Sequence, residues 1–279
     1  MITFFRLLST CPLWLLHGMG TGLGWLVFLA SSVYRKRFVA NATQAGLTWR
    51  QWLGAVAESG KLVTELPRIW LGGPVQILWE GSGHVDAVLA QGRGVVFLAP
   101  HLGCFEIMAQ AYAQRYGQSG KPMTVLFRPP RQAWLRAVVG ASRQRPGLQT
   151  APTTLSGVKQ MIKALKAGES VGLLPDQVPP EGMGLYAPFF SRDAYTMTLS
   201  VRLVQQTGAA VLLAWGERLS WGRGYRVHVQ PMAQELPTGL SDAVTAINHA
   251  MQALVLQCPQ QYLWGYARYK QPRETPARS

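Results

Sequence analysis

Residues 92–110, GRGVVFLAPHLGCFEIMAQ, decide the fold. The apolar run VVFLA within them is typical of a short buried β-strand, and it ends just before His101. A helix is predicted directly afterwards, over residues 104–116, with Glu106 near its start. The sequence therefore predicts a strand followed by a helix, with a histidine at the end of the strand and a carboxylate five positions further on.

Short apolar strands and helices alternate along the rest of the chain. Strands are predicted at 95–99, 123–127, 171–174 and 210–215, with 225–229 as an edge strand. Helices are predicted at 49–70, 104–116, from 129 toward 143, and at 154–166, 198–206 and 243–258. This alternation predicts an α/β fold with a largely parallel sheet flanked by helices.

Polar side chains stand where three of the predicted strands end, namely His101, Arg128 and Asp176. In open α/β sheets, ligands bind at the carboxyl ends of the strands. If the three strands are parallel neighbours, an imidazole, a guanidinium and a carboxylate converge on one rim. The sequence therefore predicts a binding or catalytic site at this rim.

The distance in sequence between His101 and Glu106 restricts how they can meet. On one ideal helix they would face apart by about 140°, so contact requires His101 to lie in a turn before the helix. Pro100 and Gly103 allow such a turn. Glu106 could then bond one ring nitrogen and leave the other as a general base for a substrate hydroxyl. A histidine that caps a helix beside a carboxylate is the alternative, and spacing alone does not separate the two.

The composition favours anionic partners. The chain carries 27 Lys and Arg against 13 Asp and Glu, a net charge of +14, which suits nucleic acid, an acidic protein or a phosphate-bearing lipid. Between Glu106 and Glu169 there are ten basic residues and no acidic one. Cys11, Cys104 and Cys258 are scattered and form no zinc spacing, so neither a metal site nor a disulfide framework is predicted.

The N-terminal segment is apolar enough to anchor the chain in a membrane. Residues 7–34 contain no charged side chain, Arg6 alone precedes them as a basic residue, and Arg35, Lys36 and Arg37 follow. By the positive-inside rule, the body of the protein would face the cytoplasm. Insertion into the interface without crossing is the alternative. The predicted organisation is a membrane anchor at 1–37, an α/β domain at 38–272 and a flexible tail at 273–279.

Six segments, in chain order, resemble the bacterial lipid A biosynthesis (late) acyltransferase family. HLGCFE at 101–106 is similar to the H-x4-[DE] box of membrane acyltransferases, in the HxGNWE form of that family. The others are VYRKRFVANATQAG (33–46), VLFRPPRQAWLRAVVGASR (125–143), KQMIKALKAGESVGLLPDQ (159–177), APFFSRDAYT (187–196) and CPQQYLWGYARYKQP (258–272). Cys104 stands where the family usually has Asn, and Phe105 where it has Trp. The FPEGTRS block of glycerol-phosphate acyltransferases is absent.

The resemblance implies a glycerolipid acyltransferase-like fold and an enzyme of the bacterial inner membrane, facing the cytoplasm. Such an enzyme moves a fatty acyl chain from acyl carrier protein to a hydroxyl of a phosphorylated lipid A precursor, without cofactor or metal. The implied roles are general base for His101, orienting carboxylate for Glu106, substrate contacts for Arg128, Asp176 and Gln177, and backbone oxyanion donors at Gly103 and Cys104.

Two alternatives remain open at this point. The same transfer could use another membrane glycolipid or an aminolipid as acceptor. A non-catalytic, membrane-tethered binder of anionic lipid or nucleic acid is the other, suggested by the positive charge. The basic residues are not interleaved with the aromatic platform of an RNA-binding fold, so nucleic acid is not expected as a partner.

Overall fold

The structure is a computed structural model that describes residues 2–127, 132, 135, 136, 138–140 and 145–273. The helices within these residues are α1 Ile2–Thr10, α2 Leu13–Ala30, α3 Ser32–Gln44, α4 Trp49–Leu71, α5 Ser82–Ala90, α6 Phe105–Tyr116, α7 Leu155–Lys166, α8 Leu199–Thr207 and α9 Leu240–Gln257. The strands are β1 Ile77–Glu80, β2 Val95–Leu98, β3 Met123–Phe127, β4 Leu148–Pro152, β5 Ser170–Leu173, β6 Gly184–Phe189, β7 Arg192–Met197, β8 Ala210–Arg218 and β9 Tyr225–Pro231. The helix predicted from 129 toward 143 lies largely outside the described residues.

Seven strands form one sheet in the order β1-β9-β8-β2-β5-β3-β4. Every neighbouring pair is parallel except β8 and β9, which confirms the predicted α/β fold with a largely parallel sheet. Strands β2, β5 and β3 are adjacent, with Leu98 opposite Leu173 and Val125 opposite Gly172. Their carboxyl ends therefore share one rim, as the sequence predicts. Strands β6 and β7 form a separate antiparallel hairpin.

One strand prediction is wrong in its position within the sheet. Strand β9 is not an edge strand, because β1 pairs with it in parallel, with Ile77 opposite Tyr225. The β1 sequence, ILWE, is four residues long and alternates between half-buried and exposed positions. So short a run does not stand out as a strand in the sequence, and the alternation of residues 225–229 by itself indicates an edge strand.

The central strand β2 is buried on both faces, and each face belongs to a different core. Val96 and Leu98 pack in the cluster formed with α7, α8 and α9. Val95 and Phe97 point the other way, into the cluster that includes α6. Successive side chains of a strand point to opposite faces, so a strand with no polar position requires helices on both sides.

The apolar helix α2 packs tightly against α4. Three glycines let the two backbones approach: a Cβ at Gly24 would overlap the Val56 carbonyl oxygen, and a Cβ at Gly60 would overlap the Gly20 carbonyl oxygen. Within the described residues, α2 is the one helix long and apolar enough to cross a membrane, and a third of it is buried. Apolar side chains on its outer face are exposed, among them Leu26 and Leu29.

The predicted boundaries of the anchor, the α/β domain and the tail remain predictions. The boundary at residue 37 falls within α3, Ser32–Gln44. Of the predicted tail, 273 is the one described residue, and 274–279 lie outside the described part of the chain.

A buried ionic cluster joins α2 and α4 to the sheet. Glu65, fully buried on α4, accepts hydrogen bonds from Arg218 Nε at 2.8 Å and Nη2 at 2.6 Å, and from the Tyr225 hydroxyl at 2.9 Å. His17 Nε2 of α2 lies 3.1 Å from the same carboxylate. Burial alone would raise the pKa of Glu65, but the charge and bonds of Arg218, with those of His17, hold this pKa at about 2. The cluster thus ties the N-terminal helices to β8 and β9.

Candidate active site

His101 and Asp176 meet at the rim where β2 and β5 end. The imidazole Nδ1 lies 2.7 Å from Asp176 Oδ1, and Asp176 Oδ2 accepts the backbone N–H of His101 at 2.8 Å. Because a carboxylate accepts, Nδ1 carries the proton and Nε2 has a lone pair. No hydrogen bond from the described residues reaches Nε2, so this nitrogen can accept a proton from a substrate.

Asp176 is ionised beneath the imidazole. Its side chain is 2% exposed, against 13% for His101. Burial by itself would raise the pKa of Asp176, but the charge and two hydrogen bonds of His101, together with the Arg268 charge, lower it below its usual value. The carboxylate therefore orients the ring and stabilises its protonated form.

The contact predicted between Glu106 and the imidazole is wrong, because Asp176 occupies that place. Glu106, in the first turn of α6, accepts a hydrogen bond from Trp70 Nε1 at 3.0 Å. The side chain that packs on the imidazole from α6 is Phe105, with 4.7 Å between ring centroids. Glu106 lines the same cavity as His101, and its part in catalysis remains a prediction.

The predicted oxyanion donors are engaged elsewhere. The backbone N–H of Gly103 donates to the Gln261 carbonyl at 2.9 Å, and that of Cys104 donates to the Gly216 carbonyl at 2.8 Å. These bonds pin the turn after His101 against β8 and the 3₁₀ turn Pro259–Gln261. The predicted role of these two N–H groups as oxyanion donors is therefore wrong, because an N–H group that already donates to a carbonyl does not face a reacting group.

Cys104 itself has the environment of a packing residue. The side chain is fully buried. Burial, reinforced by the nearby Glu65 charge, raises the pKa of the Cys104 thiol well above its usual value. A thiol that stays protonated is a poor nucleophile.

An apolar cavity of about 410 Å³ begins at His101 and runs between α6 and the strands β3 and β5. Most of its walls are apolar side chains: Phe97, Phe105, Met108, Met123, Val125, Leu126, Phe127, Val139, Leu148 and Leu173. Gly172 lies in the wall, where a Cβ would come 3.3 Å from Val125 Cγ1 and 3.4 Å from Met123 Sδ. Such a cavity suits a flexible hydrocarbon chain whose polar end lies at the imidazole.

The other predicted residues fall in three places. Gln177 lines the cavity with His101 and Glu106. Asp176 lies behind the imidazole. Arg128 lies outside the described residues. The sequence does not predict Trp70 as a hydrogen-bond partner of Glu106, because the two residues are 36 positions apart and no local pattern connects them.

Fold and site together define a parallel-sheet α/β protein in which a His–Asp pair stands at the mouth of an apolar cavity. Comparison with known proteins makes this more specific. The model of the bacterial lipid A biosynthesis acyltransferase family matches residues 56–271, most of the chain. The chain belongs to that family.

Relatives of the chain carry names of the same kind. It is 26% identical over 192 residues to the lipid A biosynthesis palmitoleoyltransferase of Escherichia coli (strain K12), covering 68% of this chain and 60% of that protein. It is 28% identical over 206 residues to the lipid A biosynthesis lauroyltransferase of the same organism, covering 71% and 63%. A lipid A biosynthesis acyltransferase of Haemophilus influenzae (strain ATCC 51907 / DSM 11121 / KW20 / Rd) is 24% identical over 186 residues, covering 66% and 56%. The chain thus spans about three-fifths of the length of the relatives that it matches.

Proposed function

We propose that this chain transfers a fatty acyl group from an acyl carrier protein thioester to a hydroxyl of a phosphorylated lipid A precursor. One observation carries the proposal: the imidazole of His101, oriented by the buried Asp176 carboxylate, stands at the mouth of an apolar cavity, and none of the described residues forms a hydrogen bond with its Nε2. Membership in the lipid A biosynthesis acyltransferase family supports acyl transfer as the reaction and lipid A as the acceptor.

The proposed reaction begins with the acceptor hydroxyl at His101. Nε2 takes the hydroxyl proton while Asp176 stabilises the imidazolium through Nδ1–H. The acceptor oxygen attacks the thioester carbonyl and forms a tetrahedral oxyanion. Collapse of this intermediate breaks the carbon–sulfur bond, and the departing thiolate takes the proton from the imidazolium. The products are an ester and the free carrier thiol.

The oxyanion needs a donor other than Gly103 and Cys104. The backbone N–H of Phe105 lies at the first residue of α6 and forms no hydrogen bond with the described residues. First-turn N–H groups have no partner within their own helix, and the helix dipole favours negative charge there. We assign the oxyanion contact to this N–H. Glu106 and Gln177, which line the cavity with His101, are assigned to the substrates. A substrate contact of Arg128 remains a prediction from the resemblance.

The proposed setting is the cytoplasmic face of the bacterial inner membrane. Helix α2 supplies an apolar surface, and Arg35, Lys36 and Arg37 follow at the start of α3, where they suit anionic headgroups. The basic stretch between Glu106 and Glu169 has the charge to receive an acidic carrier protein.

The test uses the purified full chain in detergent with acyl carrier protein thioester and a lipid A precursor. We expect the acceptor mass to rise by one acyl group and the carrier thiol to appear in equal amount. The His101→Ala variant should lose transfer while retaining the thermal unfolding midpoint of the wild type. Near-normal turnover by a folded His101→Ala variant would show that His101 is not the general base. An intact thioester in the wild-type reaction would indicate that the protein is a non-catalytic binder. Transfer to another glycolipid or an aminolipid, with none to the lipid A precursor, would show that the acceptor is that other lipid.

A further inference from the structure

The stretch of chain after the 3₁₀ turn Pro259–Gln261 crosses the rim of the sheet beside His101. We call its residues 262–266 the closing segment. The backbone N–H of Leu263 donates to the His101 carbonyl at 3.2 Å, and Tyr262 forms an isolated antiparallel bridge with Leu102. The closing segment therefore holds the backbone that carries the imidazole, although the proposed steps of acyl transfer assign it no role.

The closing segment also holds the loop that carries Asp176. The Tyr266 hydroxyl accepts the backbone N–H of Val178, two residues beyond Asp176, at 3.0 Å. The Tyr262 side chain is buried, and burial, reinforced by the nearby Asp176 charge, raises the pKa of its hydroxyl well above the usual value. One short stretch of chain thus contacts both members of the His–Asp pair.

Asn41 of α3 holds the closing segment from its other side. The side-chain nitrogen Nδ2 donates to the Trp264 carbonyl at 2.7 Å and to the Tyr266 carbonyl at 2.8 Å. A side-chain amide has two N–H donors, and a carbonyl can only accept, so both donors of Asn41 are used here. The two carbonyls belong to the residue after Leu263 and to the residue whose hydroxyl receives Val178. Asn41 therefore fixes the closing segment next to each of its contacts with the catalytic pair.

The closing segment depends on such contacts for its course. Residues 262–266 form neither a helix nor a strand, so no regular ladder of backbone hydrogen bonds holds them. Helix α3 also packs closely on them, because a Cβ at Gly265 would overlap the Tyr34 ring. Since α3 directly follows α2, the apolar N-terminal part of the chain reaches the catalytic pair through this contact.

We propose that Asn41 is a positioning residue for acyl transfer: by holding the carbonyls of Trp264 and Tyr266, it fixes the closing segment and, through it, the imidazole of His101 relative to Asp176. Asn41 does not line the cavity at His101, so it acts without touching the acyl chain there. Its effect on the reaction rests on the proposed function. Its effect on the geometry of the pair does not.

The first test separates kcat from KM in Asn41→Ala. A general base displaced by about 1 Å costs roughly 100-fold in rate, so we expect kcat for acyl transfer to fall about 10- to 100-fold. KM for both substrates should stay within about twofold, because the walls of the cavity are unchanged. Asn41 is half-buried, so water can reach the two freed carbonyls and the variant is expected to fold.

Gln44→Ala is the matched control. Gln44 lies on the same helix, and its side-chain amide also donates to a backbone carbonyl, that of Phe190 at 3.0 Å, outside the closing segment. We expect this variant to keep the wild-type kcat. Asn41→Ser, which can keep one of the two hydrogen bonds, replaces Asn41→Ala if that variant does not fold, and it should show the same change to a smaller degree.

The second test observes the catalytic pair without requiring acyl transfer. In the full chain labelled with ¹⁵N-histidine, the signal of the His101 Nδ1–H group reports its hydrogen bond to Asp176, and its absence from the spectrum of His101→Ala identifies it. We expect this signal to shift, or to be lost through exchange with solvent, in Asn41→Ala. The spectrum of Gln44→Ala should match that of the wild type.

The two tests together decide the inference. It is overturned if the folded Asn41 variant keeps the wild-type Nδ1–H signal, if it keeps the wild-type kcat in a chain that transfers acyl groups, or if Gln44→Ala changes both to the same extent. A changed signal in Asn41→Ala, together with a wild-type chain that transfers no acyl group, would support the positioning of the pair by Asn41 and remove the proposed function.

Discussion

At the scale of single residues, Asp176 holds the imidazole and Glu106 faces the cavity. We therefore expect substitutions of Asp176 and of Glu106 to differ in their effects on the rate of acyl transfer and on its pH dependence. In Asp176→Asn, the amide oxygen is the one remaining acceptor for the two donors of His101, so the ring is no longer held with its proton on Nδ1. We expect turnover to fall by about 10³- to 10⁴-fold, as it does when a triad carboxylate is replaced by an amide.

The remaining activity should also shift along the pH axis. The imidazolium loses the carboxylate that stabilises its charge, so the acidic limb of the kcat/KM profile should move to lower pH in Asp176→Asn. Glu106→Gln is the matched comparison, because its amide oxygen can still accept from Trp70 and the limb should stay closer to the wild type. An acidic limb that moves in Glu106→Gln and not in Asp176→Asn would return the orienting role to Glu106.

Gly172 is expected to set the length of the acyl chain. It pairs with Phe97, four positions before His101, so it stands about 13 Å below the imidazole along the sheet. A methyl group here would narrow the cavity between Val125 and Met123. In Gly172→Ala, kcat/KM for the longest accepted donor should fall about tenfold or more relative to shorter donors.

The control for this prediction is Gly83→Ala on α5, where a Cβ would meet nothing within 4 Å. A series of acyl carrier protein thioesters of increasing length measures the preference of each variant. Equal profiles for the wild type and Gly172→Ala would exclude this wall as the determinant of chain length.

The sequence predicts the site residues that follow strands and fails for contacts that depend on the order of strands. His101 and Asp176 each follow an apolar run, so their convergence could be predicted once parallel neighbours were assumed. Sequence spacing indicates Glu106 as the partner of His101. The observed partner is Asp176, which follows the neighbouring strand β5, and spacing carries no information on which strand lies beside β2. The carbonyl groups that accept hydrogen bonds from the N–H groups of Gly103 and Cys104 belong to residues more than a hundred positions away, and no local pattern predicts these bonds.

At the scale of elements, the contact of α2 with α4 depends on glycine. Gly24 faces α4, and a Cβ would overlap the Val56 carbonyl, whereas Gly22 of the same helix meets nothing within 4 Å. We expect Gly24→Ala to lower the free energy of unfolding by about 1–3 kcal/mol through overpacking. Gly22→Ala should be neutral or stabilise by up to about 1 kcal/mol, because alanine restricts the unfolded chain.

Thermal unfolding in detergent measures both variants, and limited proteolysis between α2 and α4 reports whether the helices separate. If Gly24→Ala and Gly22→Ala unfold alike, the close approach of α2 and α4 does not contribute to stability.

The elements that the sequence predicts well are long or fully apolar. The buried strands β2, β3, β5 and β8 and the helices α4, α6, α7 and α9 fall within a few residues of their predicted ranges. The sequence does not predict strand β1 or the hairpin of β6 and β7, because these strands are only four to six residues long and partly exposed. The elements that the sequence does not predict are thus short ones at the margin of the core.

At the scale of the whole molecule, the N-terminal helices are expected to hold the protein at the membrane. Leu26 and Leu29 on α2 are 64% and 67% exposed, and Leu155 on α7 is 70% exposed. Replacing Leu26 and Leu29 by Glu removes apolar contact with lipid and adds charge, which should weaken membrane partition by roughly 100-fold or more. Leu155→Glu has comparable exposure and should leave partition nearly unchanged.

Fractionation of cells into membrane and supernatant, with each variant at equal expression, measures this effect. Equal membrane fractions for the α2 variant and the wild type would show that another surface carries the attachment.

The ionic cluster of Glu65 has a consequence for the order of folding. Glu65 lies 153 and 160 positions before Arg218 and Tyr225, so Glu65 and the nearby His17 are synthesised long before these two partners. During synthesis, the Glu65 carboxylate has no guanidinium partner until β8 emerges, and a carboxylate without one resists burial. We therefore expect α2 and α4 to pack against the sheet only after β8 and β9 have been synthesised, with α2 in contact with lipid until then. The last steps of folding would then bring α2 and α4 together with β8 and β9 in one cooperative event.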